Sequence, residues 1–191
     1  MRFHGFRLDA IRSRGRERAT AFAPGSVGNV GIGFDILGFA VDAVGDRITV
    51  SRSKQPGVRI TGCSGIVSDL PLEPEKNTAG RALMALNVAA KPAFGFDMHI
   101  EKGIPLGSGL GGSAASAVAA VVAANALLDQ PFEKIDLLKF AMHGEAVASG
   151  SMHVDNIAPS LFGGLVLTVG IDNPRVKRIP VPTGISAVIV H

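Results

Sequence analysis

The stretch Pro105–Ser116, PLGSGLGGSAAS, sets Gly107, Gly109, Gly111 and Gly112 within six residues and then runs without a breaker through AVAAVVAANALL to Leu128. So much glycine is entropically expensive to order unless the backbone must come closer to something than a Cβ would allow. The alanine-rich run predicts a helix. Its first turn leaves about four N–H groups without helical acceptors, and the aligned peptide dipoles place roughly half a positive charge there. Such a bare, positively polarised end suits an anion, and a chain of phosphates fits best. The plain alternative is a turn that only joins strand to helix.

Gly107, Gly109 and Gly112 satisfy G-x-G-x-x-G, so a dinucleotide-binding unit has to be considered. That unit needs a buried strand before the loop and a second strand about twenty residues later, ending in an acidic residue. Upstream, Phe94, Phe96, Met98 and Ile100 alternate with Gly95, Asp97, His99 and Glu101, the period of a half-exposed strand. Downstream, Asp129 and Glu133 lie in the turn DQPFEK with no strand before them. A Walker loop fails too, because no Lys-Ser or Lys-Thr pair follows the last glycine.

PLGSGLGGSAAS resembles the second signature, P-x-G-x-G-L-G-S-S-A-A, of the galactokinase, homoserine kinase, mevalonate kinase and phosphomevalonate kinase (GHMP kinase) superfamily. Gly112 stands where a serine is usual; Ser113 keeps one hydroxyl at the loop. The resemblance implies an α+β fold, a mixed sheet with helices packed on one side, of the GHMP kinase N-terminal domain type. It also implies that Pro105, Leu106, Gly107, Ser108, Gly109, Leu110, Gly111, Gly112 and Ser113 bind ATP. Lys102, just before the loop, is read either as a phosphate contact or as a solvated lysine at a strand end.

The earlier stretch APGSVGNVGIGFDILGFAV is similar to the first signature as the homoserine kinase branch writes it, A-P-x-S-x-x-N-x-G-x-G-F-D, and lacks the Gly-Glu-His of galactokinases. Alternation at Thr20, Phe22 and again at Ile48, Val50 predicts strands flanking an irregular loop punctuated by Pro24, Gly25, Gly28, Gly31 and Gly33. By residue type alone, Asn29 and Asp35 are either turn residues or polar groups awaiting a partner. The resemblance assigns them to the substrate, with Asp35 suited to an ammonium group and Asn29 to a carboxylate or hydroxyl.

Asn77 or Thr78 caps a predicted helix, TAGRALMALNVAA, with Leu83, Leu86 and Val88 toward a core. Asn77 serves as cap, as adenine contact by resemblance, or as both. A second helix, IDLLKFAMHGEAVASG, turns Leu137, Leu138, Ala141 and Met142 inward. Glu145 on it reads as a solvated carboxylate; the resemblance makes it, with Ser113, a ligand of Mg²⁺, a cation that takes few protein oxygens besides phosphate and water.

The segment SGSMHVDNIAPSLFGG resembles S-G-x-x-H-x-D-N-x-x-P-x-x-x-G-G of the same branch, placing His153, Asp155 and Asn156 on a loop before a strand LFGGLVLTVG. Ser151, His153 and Asp155 make no convincing acyl-transfer triad, since neighbours along one loop diverge and no oxyanion device accompanies them. His143 and His153 lack further ligands for zinc. The resemblance gives His153 and Asn156 to the substrate. Mevalonate kinases carry an aspartate base where this chain has Asn156, eleven residues after Glu145. Catalysis by positioning then fits the homoserine branch, with Asp155 as the adjacent alternative base.

Composition bounds these readings. The 191 residues are 47% hydrophobic and 18% charged, which excludes disorder, and no strongly apolar run reaches a membrane-spanning length. Residues 1–18 hold six arginines against Asp9 and Glu17, a local +4, while the remainder has 13 basic and 14 acidic residues. The pI of about 9.4 therefore belongs to a basic tail, and the body makes no case for nucleic acid. That arm reads as a loose terminus, an arginine-rich contact for an acidic partner, or, faintly, a targeting presequence. Cys63 is a lone cysteine, read as a small buried hydrophobe in a cytoplasmic protein. The expected organisation is a tail over 1–18, a GHMP kinase N-terminal ATP-binding domain over 19–185, and the start of a further domain over 186–191, where ISAVIVH reads as a strand. The implied reaction transfers the ATP γ-phosphate to the hydroxyl of L-homoserine, in threonine biosynthesis, with a homodimer among the compatible states. Another GHMP alcohol kinase and a non-catalytic domain are the alternatives.

Overall fold

The computed structural model describes residues 7–8, 16–149, 154–170 and 172–188. The strands are β1 (Arg7–Leu8), β2 (Arg18–Val27), β3 (Leu37–Ser53), β4 (Val58–Gly65), β5 (Gly95–Lys102), β6 (Leu165–Val169) and β7 (Arg175–Ile179). The helices are α1 (Thr78–Ala90), α2 (Gly112–Asn125), α3 (Lys134–Ser149) and α4 (Ile157–Phe162), with a 3-10 turn at Pro74–Lys76. Among the described residues these strands form one seven-stranded mixed sheet in the order β1-β2-β3-β5-β4, with β6 on β3 and β7 on β6. Only the β4–β5 pair is parallel, and α1 lies in the connection between those two strands. The expected α+β architecture is the one observed.

β3 is the long member. Arg47–Ser53 pair with β5 on the flank opposite β2, and Leu37–Phe39 pair with β6. The β2–β3 register slips between Pro24 and Ser26, where proline has no N–H to give the ladder. Both strands thus extend further than the alternation predicted, leaving only residues 28–36 as loop.

α2 occupies the centre, with Ala114 through Ala124 all buried. It packs on β2, β3, α1 and α3. Small side chains make this approach feasible, since α2 meets β2, whose Ala19, Ala21 and Ala23 are also buried. Phe96, Met98 and Ile100 of β5 complete the inner face as their alternation required, each burial contributing about 1.5–3 kcal/mol.

On α1, Ala79, Ala82, Leu83 and Leu86 face the core, whereas Val88 is 70% exposed. The inward expectation for Val88 was wrong: two residues past Leu86 is the far side of a 3.6-residue period. α3 buries Leu137, Leu138, Ala141 and Met142 as expected. Leu161 and Phe162, expected in a strand, instead end α4, which Gly163 (φ +75°) and Gly164 (φ +80°) terminate before β6 begins. Of the expected strand ISAVIVH, residues 185–188 belong to no strand and residues 189–191 lie outside the described residues. Within the basic tail, Arg7–Leu8 pair with Ala21 and Phe22; residues 1–6 and 9–15 lie outside the described residues.

Candidate functional site

The glycine loop leaves β5 at Lys102 and enters α2 through Gly111, which occupies the N-cap position. Gly107, Gly109 and Gly111 have φ of +71°, +71° and +63°, alternating with Ser108 and Leu110, whose φ is not positive. Positive-φ residues alternating with others are the backbone pattern from which anion-binding nests of successive N–H groups are built. At Gly107 and Gly109 an added Cβ would meet nothing, so the backbone angle alone demands glycine and the loop faces open space. The first helical bond of α2 runs from Ala115 N to Gly111 O, 2.9 Å, so the amides of Gly112, Ser113 and Ala114 precede it.

Two further segments close on this loop. Ser26 N donates to Leu110 O at 3.0 Å, while Ser26 Oγ lies 2.9 Å from Asn156 O and 3.1 Å from Asn156 Oδ1. A Cβ at Gly111 would stand 2.4 Å from Ser26 Oγ and 3.0 Å from Asn156 Oδ1. All three signature stretches therefore meet at Ser26. That serine stands in the first motif, yet no chemistry singled it out beforehand.

Asn29 N donates to Asp155 Oδ2 at 2.9 Å, and Asn29 Oδ1 accepts from Asp35 N at 2.9 Å. Asn29 (φ +56°) and Asp35 (φ +58°) both adopt the left-handed backbone, which their short polar side chains tolerate better than most. Turn chemistry is thus real for both. It sets them on one loop against Asp155, which is buried. Gly28 and Gly38 leave room for this: a Cβ on Gly28 would lie 2.1 Å from Asp155 Oδ2, and one on Gly38 1.9 Å from Asp155 O. Ser160 Oγ, donating to Pro24 O at 2.8 Å, ties α4 to the same strand end.

Asn77 is the N-cap of α1, its Oδ1 accepting from Ala79 N (3.0 Å) and Gly80 N (3.3 Å) while Nδ2 donates to Pro71 O (2.9 Å). Lys102 is no solvated strand-end lysine. Its ammonium is buried, ion-paired with Asp46, and donates to Gly112 O at 3.1 Å and Ser116 Oγ at 3.0 Å. Its three protons have partners beneath the loop rather than within it. Ser113 sits in the first turn of α2, and Glu145 is half-buried on α3, the helix packed against α2. Among the described residues no three His, Cys, Asp or Glu side chains cluster as a metal cage. His153 lies outside the described residues.

The site is therefore an open glycine-loop helix terminus with two polar segments beside it, the 28–36 loop carrying Asn29 and Asp35 and the start of α4 carrying Asp155 and Asn156. Residues 77–164 match the GHMP kinases N terminal domain. Over those residues the chain carries the domain that characterises the GHMP kinases. The chain is 52% identical to the homoserine kinase of Xylella fastidiosa over 91% of its own length and 53% of that relative. It is 53% identical to the homoserine kinase of Xanthomonas campestris over 94% of its length and 55% of the relative. The crystal structure of homoserine kinase from Cytophaga hutchinsonii superposes with a TM-score of 0.82 at 44% identity, covering 91% of this chain and 55% of that one. The chain spans about half the length of the curated relatives it matches.

Proposed function

We propose that the protein is an ATP-dependent kinase that phosphorylates the hydroxyl of L-homoserine. The observation that supports this reading is the convergence at Ser26, where the glycine loop meets the first-motif strand and Asn156, while Asn29 bonds to the neighbouring Asp155. The relatives named homoserine kinase support the choice of acceptor.

In this reading the amides of residues 107–113 take the triphosphate. Asp35 faces the ammonium of the amino acid, and Asn29, His153 and Asn156 its polar groups. Ser113 and Glu145 would hold Mg²⁺. One hydroxyl and one carboxylate, with no carboxylate cage among the described residues, fit a cation that keeps water and phosphate as its other ligands. When bound, the ion neutralises charge building on the β and γ oxygens. The acceptor oxygen bonds to the γ-phosphorus as the bond to the β-bridging oxygen breaks, releasing ADP and the hydroxyl proton. Asn156 cannot accept that proton, and Asp155 Oδ2 already accepts from Asn29 N. The chain's contribution is alignment and charge stabilisation, which suffice for a loose phosphoryl transition state. A role for Asn77 at the adenine is compatible with its cap, which leaves one amide proton.

The reading includes a cytoplasmic enzyme of threonine biosynthesis, with a homodimer compatible. No helix among the described residues is long and apolar enough to cross a membrane. A coupled assay of ADP release should show turnover with L-homoserine and Mg²⁺. Turnover of mevalonate with none of homoserine would overturn the assignment of the acceptor.

A further inference from the structure

We infer that Asp46, far from the loop in sequence, is a positioning residue that sets the span of the phosphate-binding loop. The inference rests on that loop taking the triphosphate.

Asp46 is fully buried and accepts four hydrogen bonds. Oδ1 takes Gly103 N at 3.0 Å and Ile104 N at 3.2 Å; Oδ2 takes Lys102 Nζ and, at 2.6 Å, Ser116 Oγ. Ser116 in turn accepts from Lys102, and Lys102 donates to Gly112 O. Every polar atom of the cluster is engaged, as a buried ionic network must be if it is not to be a liability. Its attachment points have one thing in common. Gly103 and Ile104 precede the glycine loop; Gly112 and Ser116 are the first and second turns of α2 behind it.

Between these points the loop has little of its own to hold it. Gly107 and Gly109 have no atoms near a would-be Cβ, and Leu106 is 63% exposed. A glycine-rich backbone with both ends clamped to one carboxylate has a fixed chord, and the nest of amides hangs from that chord. A buried ion pair is a poor way to gain stability against an apolar substitute. What this one supplies is a defined distance. The Lys102 ammonium is thereby the link to Gly112 O, not a hand reaching for phosphate.

The test uses the full protein, Ser116→Ala and Asp46→Asn variants, and Leu86→Ala as a destabilised control from the buried face of α1. MgATP affinity is read by titration calorimetry, and KM for L-homoserine by ADP release. Ser116→Ala should weaken MgATP binding by about tenfold, the worth of a hydrogen bond to a charged group, with KM for homoserine unchanged. Asp46→Asn, which keeps an acceptor for Gly103 N and Ile104 N but turns an amide toward Lys102, should weaken it further. Adding Lys102→Met to Asp46→Asn should restore thermal stability without restoring affinity. Leu86→Ala should lower the melting temperature and leave affinity intact. If Asp46→Asn does not fold, Ser116→Ala decides. Variants that lose stability yet bind MgATP as the parent does, or that weaken both ligands alike, overturn the inference. A parent that binds no MgATP overturns the kinase reading and this inference with it.

Discussion

At the scale of single residues, the loop separates two reasons for glycine. Gly109 is needed for its backbone angle alone, so Gly109→Ala should cost about 1–2 kcal/mol for left-handed backbone at an L-residue, with loss of nucleotide affinity as the loop reshapes. Gly111→Ala adds a collision with Ser26 Oγ to the same strain. It should unfold at a lower temperature than Gly109→Ala and bind no MgATP; thermal melts and titrations side by side check both. Cys63 makes a different prediction. Burial pushes its thiol above the ordinary value, against a smaller opposing pull from the Lys102 ammonium. The folded protein thus holds the proton more tightly than the unfolded chain. Stability from this group is fully present below about pH 8.5 and falls as pH rises through the raised value. Alkylation by iodoacetamide at pH 8 should be slower for the native protein than for the unfolded chain.

At the scale of elements, much was legible because the signals were local. The cap at Asn77 marked the start of α1, and Asn77→Ala should cost about 1 kcal/mol in chemical denaturation. The period-two run through Phe96, Met98 and Ile100 delivered β5 to the loop as its pattern implied. α4 was missed because Pro159 reads as a loop residue, although a proline in the first turn of a helix removes only an N–H that lacks a helical partner anyway. Val88 was misread by grouping it with Leu83 and Leu86, although five and two residues on it falls off their face of the helix. Val88→Glu should change stability by no more than about 0.5 kcal/mol. The central helix predicts the opposite. Ala120 of α2 is fully buried in the central helix, so Ala120→Leu should lose about 1–3 kcal/mol by overpacking.

At the scale of the whole molecule, the site is assembled from segments far apart in the chain, and that is why its supports were invisible in sequence. Asp46 next to Gly45 reads as an ordinary turn aspartate, and its partner Lys102 lies 56 residues away. Ser26 reaches Asn156 across 130 residues. If the chain binds MgATP only when folded, saturation at a hundred times Kd should add about 2.7 kcal/mol and raise the melting temperature by several degrees. β3 is the member that both halves of the proposed site share: Asp46 hangs beneath the glycine loop, and Gly38 lies under Asp155, which holds Asn29. In the proposed reading donor and acceptor would be mounted on a common rail, with neighbouring strands along both edges. Breathing at the outer strands β4 and β7 should leave this rail undisturbed. Backbone amides of β3 should be among the last to exchange with heavy water, whether or not ligand is present.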